Sequence, residues 1–386
     1  MIDVVHLITG LDIGGAELML VRLLAHMDRT RFRSTVVSMT GRGALADRIE
    51  ALQVPVITLG MRHGVPSPLA VTRLASHLRA ARPVVLQTWL YHADLLGYVA
   101  GRLAHVPAIV WNIRCGALRP QHHPVGLWWT VKVLARLSPH ATAVVVNARA
   151  GQEESERLGY HPRRWVLIEN GFELDQFVPS AEARDSVRRE LGVGAETPLV
   201  GLVARFHPMK DHATFLRAAA RLLQQRSDVV FVLAGRQVDD ANPELRGMIG
   251  ELGLRSSLRL LGERTDIPRL TAAFDVATCC SYAEGFPNAI GEAMACAVPC
   301  VTTDVGDCAR VVGDTGWVVP ARDPAALAAA WADVLSLSSE RRHDAGIRAR
   351  ARVTECFDIQ SVVRRYEDLY AELSGEALAR TADVRH

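Results

Sequence analysis

Short apolar runs, rich in β-branched residues, alternate with helix-compatible stretches along most of the 386 residues. Val4–Ile8, Thr35–Met39, Val54–Leu59, Val84–Thr88, Ala108–Trp111, Ala143–Asn147 and Trp165–Ile168 read as strands. Ala16–Met27, Leu45–Leu52, Leu69–Ala81, Ala93–Ala104, Leu127–Leu137 and Gly151–Leu158 read as the helices between them. Strands that are apolar throughout are buried on both faces, and helices between them make the pairing parallel. The pattern predicts a doubly wound α/β unit.

The alternation then restarts. Leu199–Ala204, Val229–Leu233, Leu258–Leu261, Val276–Cys279, Pro299–Thr302 and Gly316–Val319 read as strands. Asp211–Gln225, Pro243–Leu252, Ile267–Phe274, Asn288–Cys296 and Pro324–Leu337 read as helices, with two more over Ser339–Cys356 and Ile359–Leu373. The segment Asn170–Glu196 mixes Gly171, Pro179 and charged residues, so the junction is placed there. Thr381–His386 is expected to fray. Two similar units predict a ligand in a cleft between them, at the carboxyl ends of the strands.

Charge separates the halves. Residues 1–171 carry 19 Lys and Arg against 11 Asp and Glu, and residues 172–386 carry 25 against 31. No acidic residue falls between Leu95 and Gln152, where Arg102, Arg114, Arg119, Lys132, Arg136 and Arg149 lie. An anionic partner is expected on the N-terminal half. Lys132 and Lys210 are the chain's two lysines, which singles each out. No apolar run reaches 18 residues and the start is not signal-like, so the chain reads as cytosolic. Seven cysteines without a CxxC pair, Cys296, Cys300 and Cys308 among them, read as free thiols rather than as zinc ligands.

Three turns carry chemistry. Gly14 and Gly15, between the first strand and helix, let backbone amides approach an anion; a tight turn without a ligand is the alternative. Arg205 and Lys210 flank the turn after the strand that opens the second unit, and two cations so placed can grip one diphosphate. The alternative leaves Arg205 a surface residue and pairs Lys210 with Asp211. In the third turn, Ser281-Tyr282-Ala283-Glu284-Gly285-Phe286-Pro287 leads into a helix expected to be capped by Asn288. The amides of Ala289, Ile290 and Gly291 would then be free at its tip. Glu284 and Glu292 would bracket one ligand, near a reacting sugar and near a ribose diol; a capping acid and an exposed helix acid are the alternative.

Glu284 and Glu292, with seven residues between them and a Ser-x-x-Glu-Gly-x-Pro turn at the start, resemble the signature of family-4 ("group 1") retaining glycosyltransferases with a GT-B fold. Gly14-Gly15-Ala16-Glu17 resembles that family's glycine loop, and Asn170-Gly171-Phe172-Glu173 with Phe177 its interdomain connection. Arg205 and Lys210 match its diphosphate clamp. Leu261-Gly262-Glu263-Arg264-Thr265-Asp266-Ile267 matches the loop bordering the nucleotide base.

The resemblance implies two Rossmann-like domains facing each other across a cleft. Residues 1–171 would bind the acceptor and residues 172–358 the nucleotide-sugar. A helix over 359–373 would pack back on the first domain, and 374–386 would be a tail. It implies transfer, with retention, from a UDP- or GDP-sugar to a sugar or lipid-linked acceptor in cell-surface polysaccharide or glycolipid assembly. No cofactor and no metal are expected, and no Asp-x-Asp motif occurs. Glu284, Arg205 and Lys210 would be catalytic. Gly14, Gly15, Arg264, Asp266, Gly285, Phe286, Pro287, Asn288, Ala289, Ile290 and Glu292 would hold the donor, with Glu284 at its sugar and Glu292 on the ribose.

One departure stands out. Where many members carry a sugar-facing His, this chain reads Trp111-Asn112-Ile113-Arg114-Cys115, which makes Arg114 the equivalent. His92, after the preceding strand, is assigned with it to the acceptor side; a helix-start or solvent-facing residue is the alternative. Leu127–Leu137, with Trp128, Trp129, Lys132 and Arg136 and preceded by Arg119, His122 and His123, suits peripheral contact with anionic lipid on the inner face of the plasma membrane. An ordinary amphipathic helix packed on the sheet is the alternative. Nucleic acid is not expected. The rival readings are a same-fold epimerase or phosphorylase, and a non-catalytic sugar-nucleotide sensor.

Overall fold

A computed structural model describes residues 1–62, 67–114, 116 and 125–383. The chain divides into two compact units: Met1–Gly171 together with the segment from Ile359 onward, and the continuous segment Phe172–Asp358.

In the first unit β1 (Ile2–Ile8), α1 (Gly15–His26), β2 (Phe32–Ser38), α2 (Ala46–Ala51), β3 (Val56–Thr58), α3 (Pro68–Ala81), β4 (Val85–Trp89), α4 (Tyr91–Leu103), β5 (Ala108–Ile113), α5 (Val125–Leu137), β6 (Ala143–Val146), α6 (Arg149–Arg157) and β7 (Trp165–Leu167) alternate. The sheet runs β3-β2-β1-β4-β5-β6-β7 and is parallel throughout.

The second unit contains α7 (Ala181–Leu191), β8 (Leu199–Val203), α8 (His212–Leu223), β9 (Val230–Ala234), α9 (Pro243–Glu251), β10 (Leu258–Leu260), α10 (Ile267–Thr271), β11 (Val276–Cys279), α11 (Asn288–Ala295), β12 (Cys300–Thr303), α12 (Cys308–Val312), β13 (Trp317–Val319), α13 (Pro324–Ser336) and α14 (Ser339–Phe357). Its parallel sheet runs β10-β9-β8-β11-β12-β13. α15 (Ile359–Asp383) belongs to the first unit, where it packs on α1, β1, β4 and β5. The doubly wound α/β class read from the sequence is the class observed.

The sequence dictates several helix starts. Ser67, Asn242 and Asp323 each accept hydrogen bonds from amides of the first turn, and each is followed by proline at the first helical position. Proline there fixes φ and lacks an N–H that would otherwise be unpaired.

Three departures from the sequence reading have local causes. The junction assigned to Asn170–Glu196 contains α7, capped by Ser180 and stopped by Gly192 in the left-handed region. α7 is strongly polar and buries only Val187, Arg188 and Leu191, so its apolar periodicity is faint. The five-residue α12 also went unread. The tail expected from residue 374 continues α15 to Asp383, through good helix formers such as Ala, Glu, Leu and Arg.

The second unit's core centres on Phe215, Phe231 and Trp331, all fully buried. In the first unit, Val362, Val363, Tyr366, Leu369 and Tyr370 of α15 complete a core shared with α1, β1 and β4. Full burial of such a side chain stabilises by about 1.5–3 kcal/mol, so α15 is a structural part of that unit.

Candidate active site

Both sheets reverse their winding direction between two strands, and the carboxyl ends there are the standard ligand positions of open α/β sheets. In the second unit those strands are β8 and β11. Arg205 and Lys210 follow β8, and Ser281 and Glu284 follow β11.

The two turns are tied together. Tyr282 N–H donates to Met209 O at 3.0 Å, and the Cys280 thiol donates to Lys210 O at 3.1 Å. Lys210 Nζ forms an ion pair with Glu284 Oε1, and Ser281 Oγ donates to the same oxygen at 2.7 Å. The Lys210 side chain is 28% exposed and that of Glu284 12%. Burial pulls the Lys210 ammonium down, but the Glu284 carboxylate beside it outweighs that and holds it above the ordinary lysine range. Asp211 does not pair with Lys210. It caps α8, accepting from Thr214 N–H at 3.2 Å and Thr214 Oγ1 at 2.7 Å.

Arg205 is exposed and has no ion pair among the described residues. Its backbone is braced by Gly235 at φ +149°, where a Cβ would collide with the Ala204 carbonyl. Gly306, at φ +56°, presses on the Glu284 carbonyl in the same way, and Asp307 N–H donates to Gly285 O at 3.0 Å.

Other expected residues hold different positions. Asn288 is the first residue of α11, and Pro287 is the cap residue, with no side-chain cap bond. Pro287 cannot offer a capping oxygen, and its carbonyl takes the amides of Ile290 (3.1 Å) and Gly291 (3.2 Å). Those two are therefore not free, which corrects the expected tip. The Phe286 ring is buried, stacked on Phe172 at 6.1 Å and edge-on to Phe357 at 5.5 Å. Glu292 is half-buried, one turn inside α11.

Arg264 and Asp266 pair with each other at 2.7 Å, and with Arg269 and Glu190 they tie the loop after β10 to α7. The Arg264 hydrogen bonds hold the Asp266 carboxyl down at about 2. A cavity of about 140 Å³ near that edge is lined by Asp240, Arg246, Ile249, Arg255, Leu258 and Leu260, none of them an expected site residue.

The first unit holds the remaining assignments. Its strands reverse between β1 and β4. Gly14 caps α1 after β1, in extended backbone and with the Glu17 carboxylate against it; Gly15 opens the helix. His92, half-buried, is the second residue of α4 after β4. Arg114, after β5, faces inward. It donates to Tyr366 OH at 3.0 Å, Asn112 Oδ1 at 3.3 Å and Asn170 Oδ1, and lies 5.1 Å from the Trp89 ring centroid. Arg114 thus fastens α15 to the sheet.

α5 buries Val131, Leu134 and Ala135 yet exposes Val125 (73%), Trp129 (70%) and Val133 (40%), with Lys132 and Arg136 also exposed. Cys115, Arg119, His122 and His123 lie outside the described residues. Among the described residues no helix is long and apolar enough to cross a membrane.

Two site features went unassigned in the sequence. Ser281 stood inside the quoted turn, three residues before Glu284, and that spacing was its signal. Arg322, 4.1 Å over the Tyr282 ring, has no local sequence signal.

The chain matches two family models: Glycosyltransferase Family 4 over residues 13–176 and Glycosyl transferases group 1 over 197–336. EpsF of Bacillus subtilis, named as a glycosyltransferase, is 26% identical over 78% of this chain and 79% of its own. The UDP-Gal:α-D-GlcNAc-diphosphoundecaprenol α-1,3-galactosyltransferase of Escherichia coli is 26% identical over 68% of each chain. The crystal structure of HepE from Anabaena in complex with UDP-glucose superposes with a TM-score of 0.83 at 25% identity, covering 96% of this chain and all of HepE.

Proposed function

The chain belongs to the group 1, family 4 glycosyltransferases, and we propose that it moves a sugar from a UDP-linked donor to an acceptor hydroxyl, with retention and without a metal. The observation that carries this reading is the Lys210–Glu284–Ser281 cluster at the β8/β11 reversal, with Arg205 exposed beside it.

As the sugar–phosphate bond breaks, positive charge grows on the sugar and negative charge on the departing diphosphate. Lys210, held charged by its surroundings, and Arg205 are fixed cations for that second charge. Preorganised charge of this kind, removed one group at a time, typically costs about 2.7–4 kcal/mol of barrier. Glu284, oriented by Ser281 and Lys210, serves the sugar, and Glu292 the ribose hydroxyls. The departing phosphate takes the acceptor proton, so no separate base is assigned.

UDP is preferred over GDP because HepE binds UDP-glucose and the Escherichia coli relative uses UDP-Gal. A lipid-linked acceptor is supported by that relative's diphosphoundecaprenol substrate and by the basic, Trp129-bearing face of α5. That face would place the enzyme on anionic lipid.

A thermal-shift screen against UDP, GDP, ADP and TDP tests the donor class, since a ligand that binds only the native state raises stability by mass action. UDP should give the largest shift. Transfer from radiolabelled UDP-sugars in the presence of EDTA tests the chemistry. No shift with UDP, or activity lost to EDTA and restored by Mn²⁺, would overturn the reading.

A further inference from the structure

The turns that follow β11, β12 and β13 are laced together at the carboxyl edge of the second sheet. Thr303 Oγ1, at the end of β12, donates to Ser281 O at 2.6 Å. Asp304 N–H donates at 2.8 Å to the carbonyl of Val319, the last residue of β13. Tyr282 joins this lacing to the Lys210 turn. Its N–H donates to Met209 O, and its ring carries the guanidinium of Arg322, from the turn after β13, with Cζ 4.1 Å from the centroid.

Arg322 is exposed, and among the described residues no hydrogen bond or ion pair, to Asp304 or to any other group, occupies its N–H groups. The adjacent Asp323 is committed to α13, where its Oδ1 accepts from the amides of Ala325 at 3.0 Å and Ala326 at 2.9 Å. The Arg322 backbone is left-handed at φ +61°. That conformation costs energy for a residue with a side chain, and such strain collects at ligand sites.

We propose that Arg322, lying flat on Tyr282, is a specificity residue whose open edge receives an oxyanion group, a carboxylate or a phosphate, carried by the donor sugar or by the acceptor. The inference deepens the proposed transfer reaction and rests on it for where the substrates lie.

Stacking occupies the face of the guanidinium and leaves its edge, where paired N–H donors match the two oxygens of a carboxylate or phosphate. The ring also fixes the plane, so the fork is oriented before a ligand arrives. In the proposed reaction Arg205 and Lys210 hold the diphosphate beside β8. Arg322 comes from β13, three strands away, or about 14 Å at the usual strand spacing. It is therefore placed for a second anionic group, beyond the diphosphate.

Calorimetric titration of the full-length protein tests this in two arms. The donor arm compares UDP-glucuronate with UDP-glucose, and the acceptor arm compares glucose 6-phosphate with glucose in the presence of UDP. In at least one arm the anionic probe should bind more tightly than its neutral counterpart by about tenfold or more, the size expected of a hydrogen-bonded charge pair. Arg322→Gln should abolish that ratio, and Arg322→Lys, which keeps the charge but not the fork, should retain part of it. Tyr282→Phe should preserve the ratio and Tyr282→Ala reduce it. The ratio is the readout, so a general loss of folding or of nucleotide binding does not imitate the effect.

A preference in the donor arm alone places the anionic group on the sugar that is moved, and one in the acceptor arm alone places it on the acceptor. Equal binding of anionic and neutral probes by the wild type in both arms overturns the inference, as does a preference that survives in Arg322→Gln. UDP binding by the wild type is read from the same titrations. Its absence refutes the proposed donor, while the glucose 6-phosphate arm, repeated without nucleotide, still decides Arg322.

Discussion

In the second unit, charged side chains gather at the β8/β11 reversal, where Lys210 and Glu284 meet at the mouth of the sheet and Arg205 stands exposed. In the first unit, the polar groups of the same region turn inward. Arg114 grips Tyr366 and Asn170, His6 accepts from Trp89 Nε1 at 3.4 Å, and Asp94 accepts from Thr88 Oγ1 at 2.5 Å. One fold thus uses its strand ends in two ways. The second unit leaves Arg205 exposed beside a paired Lys210 and Glu284, and the first uses its charge to hold a helix from the far end of the chain. Placement at a strand end is therefore not enough to assign a binding role; the partners decide.

The largest effect should come from deleting residues 359–383. Without α15, the surface lined by Trp89 and Met19 is uncovered. Limited proteolysis should then degrade the first unit while Phe172–Asp358 persists. Equal resistance of both units would break the contrast.

Next comes Lys210→Ala. It should lower transfer by about 2.7–4 kcal/mol in barrier terms, read as a rate loss at saturating donor, with the thermal midpoint near that of wild type. Arg114→Ala should do the reverse. Hydrogen bonds to a charged group are worth about 1.5–3 kcal/mol, so urea unfolding of the first unit should shift by that order. Wild-type stability in this variant would return Arg114 to the binding surface.

How far the sequence reached follows the same division. The strands were legible because runs such as Phe231–Ala234 and Val144–Val146 are buried on both faces and leave no polar alternation. Glu284 and Lys210 were legible because each sits in a tight local turn. Their pairing was not, since 74 residues separate them, and neither was Arg114 with Tyr366, 252 apart. Local spacing cannot encode such contacts. The neighbours of Phe286 and Arg264 were not legible for a related reason, because a motif fixes the backbone and leaves the neighbours of each side chain undetermined.

The smallest net effect is in the pH dependence of the first unit, where two buried groups oppose. Burial pushes His6 down to about 3 and Asp94 up to about 7. Between about pH 4 and 6.5 the unfolded chain protonates His6 while the folded chain does not, so that residue makes stability rise with pH. Over the same window Asp94 is protonated only in the folded chain, which makes stability fall. Each slope approaches about 1.4 kcal/mol per pH unit, and they oppose. The partly buried His77, also pushed down, adds to the His6 side. In the second unit His212 is pushed down to about 4 by burial, with the same sign as His6. Urea titrations read by residue-resolved hydrogen exchange should show a nearly flat first unit and a second unit gaining stability as pH rises. Asp94→Asn should unmask the rise in the first unit. A slope unchanged by Asp94→Asn would refute the compensation.

The first unit is assembled from two stretches of chain separated by the whole of the second, and this orders events on the ribosome. Nascent domains usually fold from the N-terminus forward at ~5–20 residues per second of synthesis. Here residues 1–171 emerge first, yet their apolar face waits, on the order of ten seconds or more, for Tyr366 and Tyr370 to be translated. The later-started unit is therefore the first whose chain is complete.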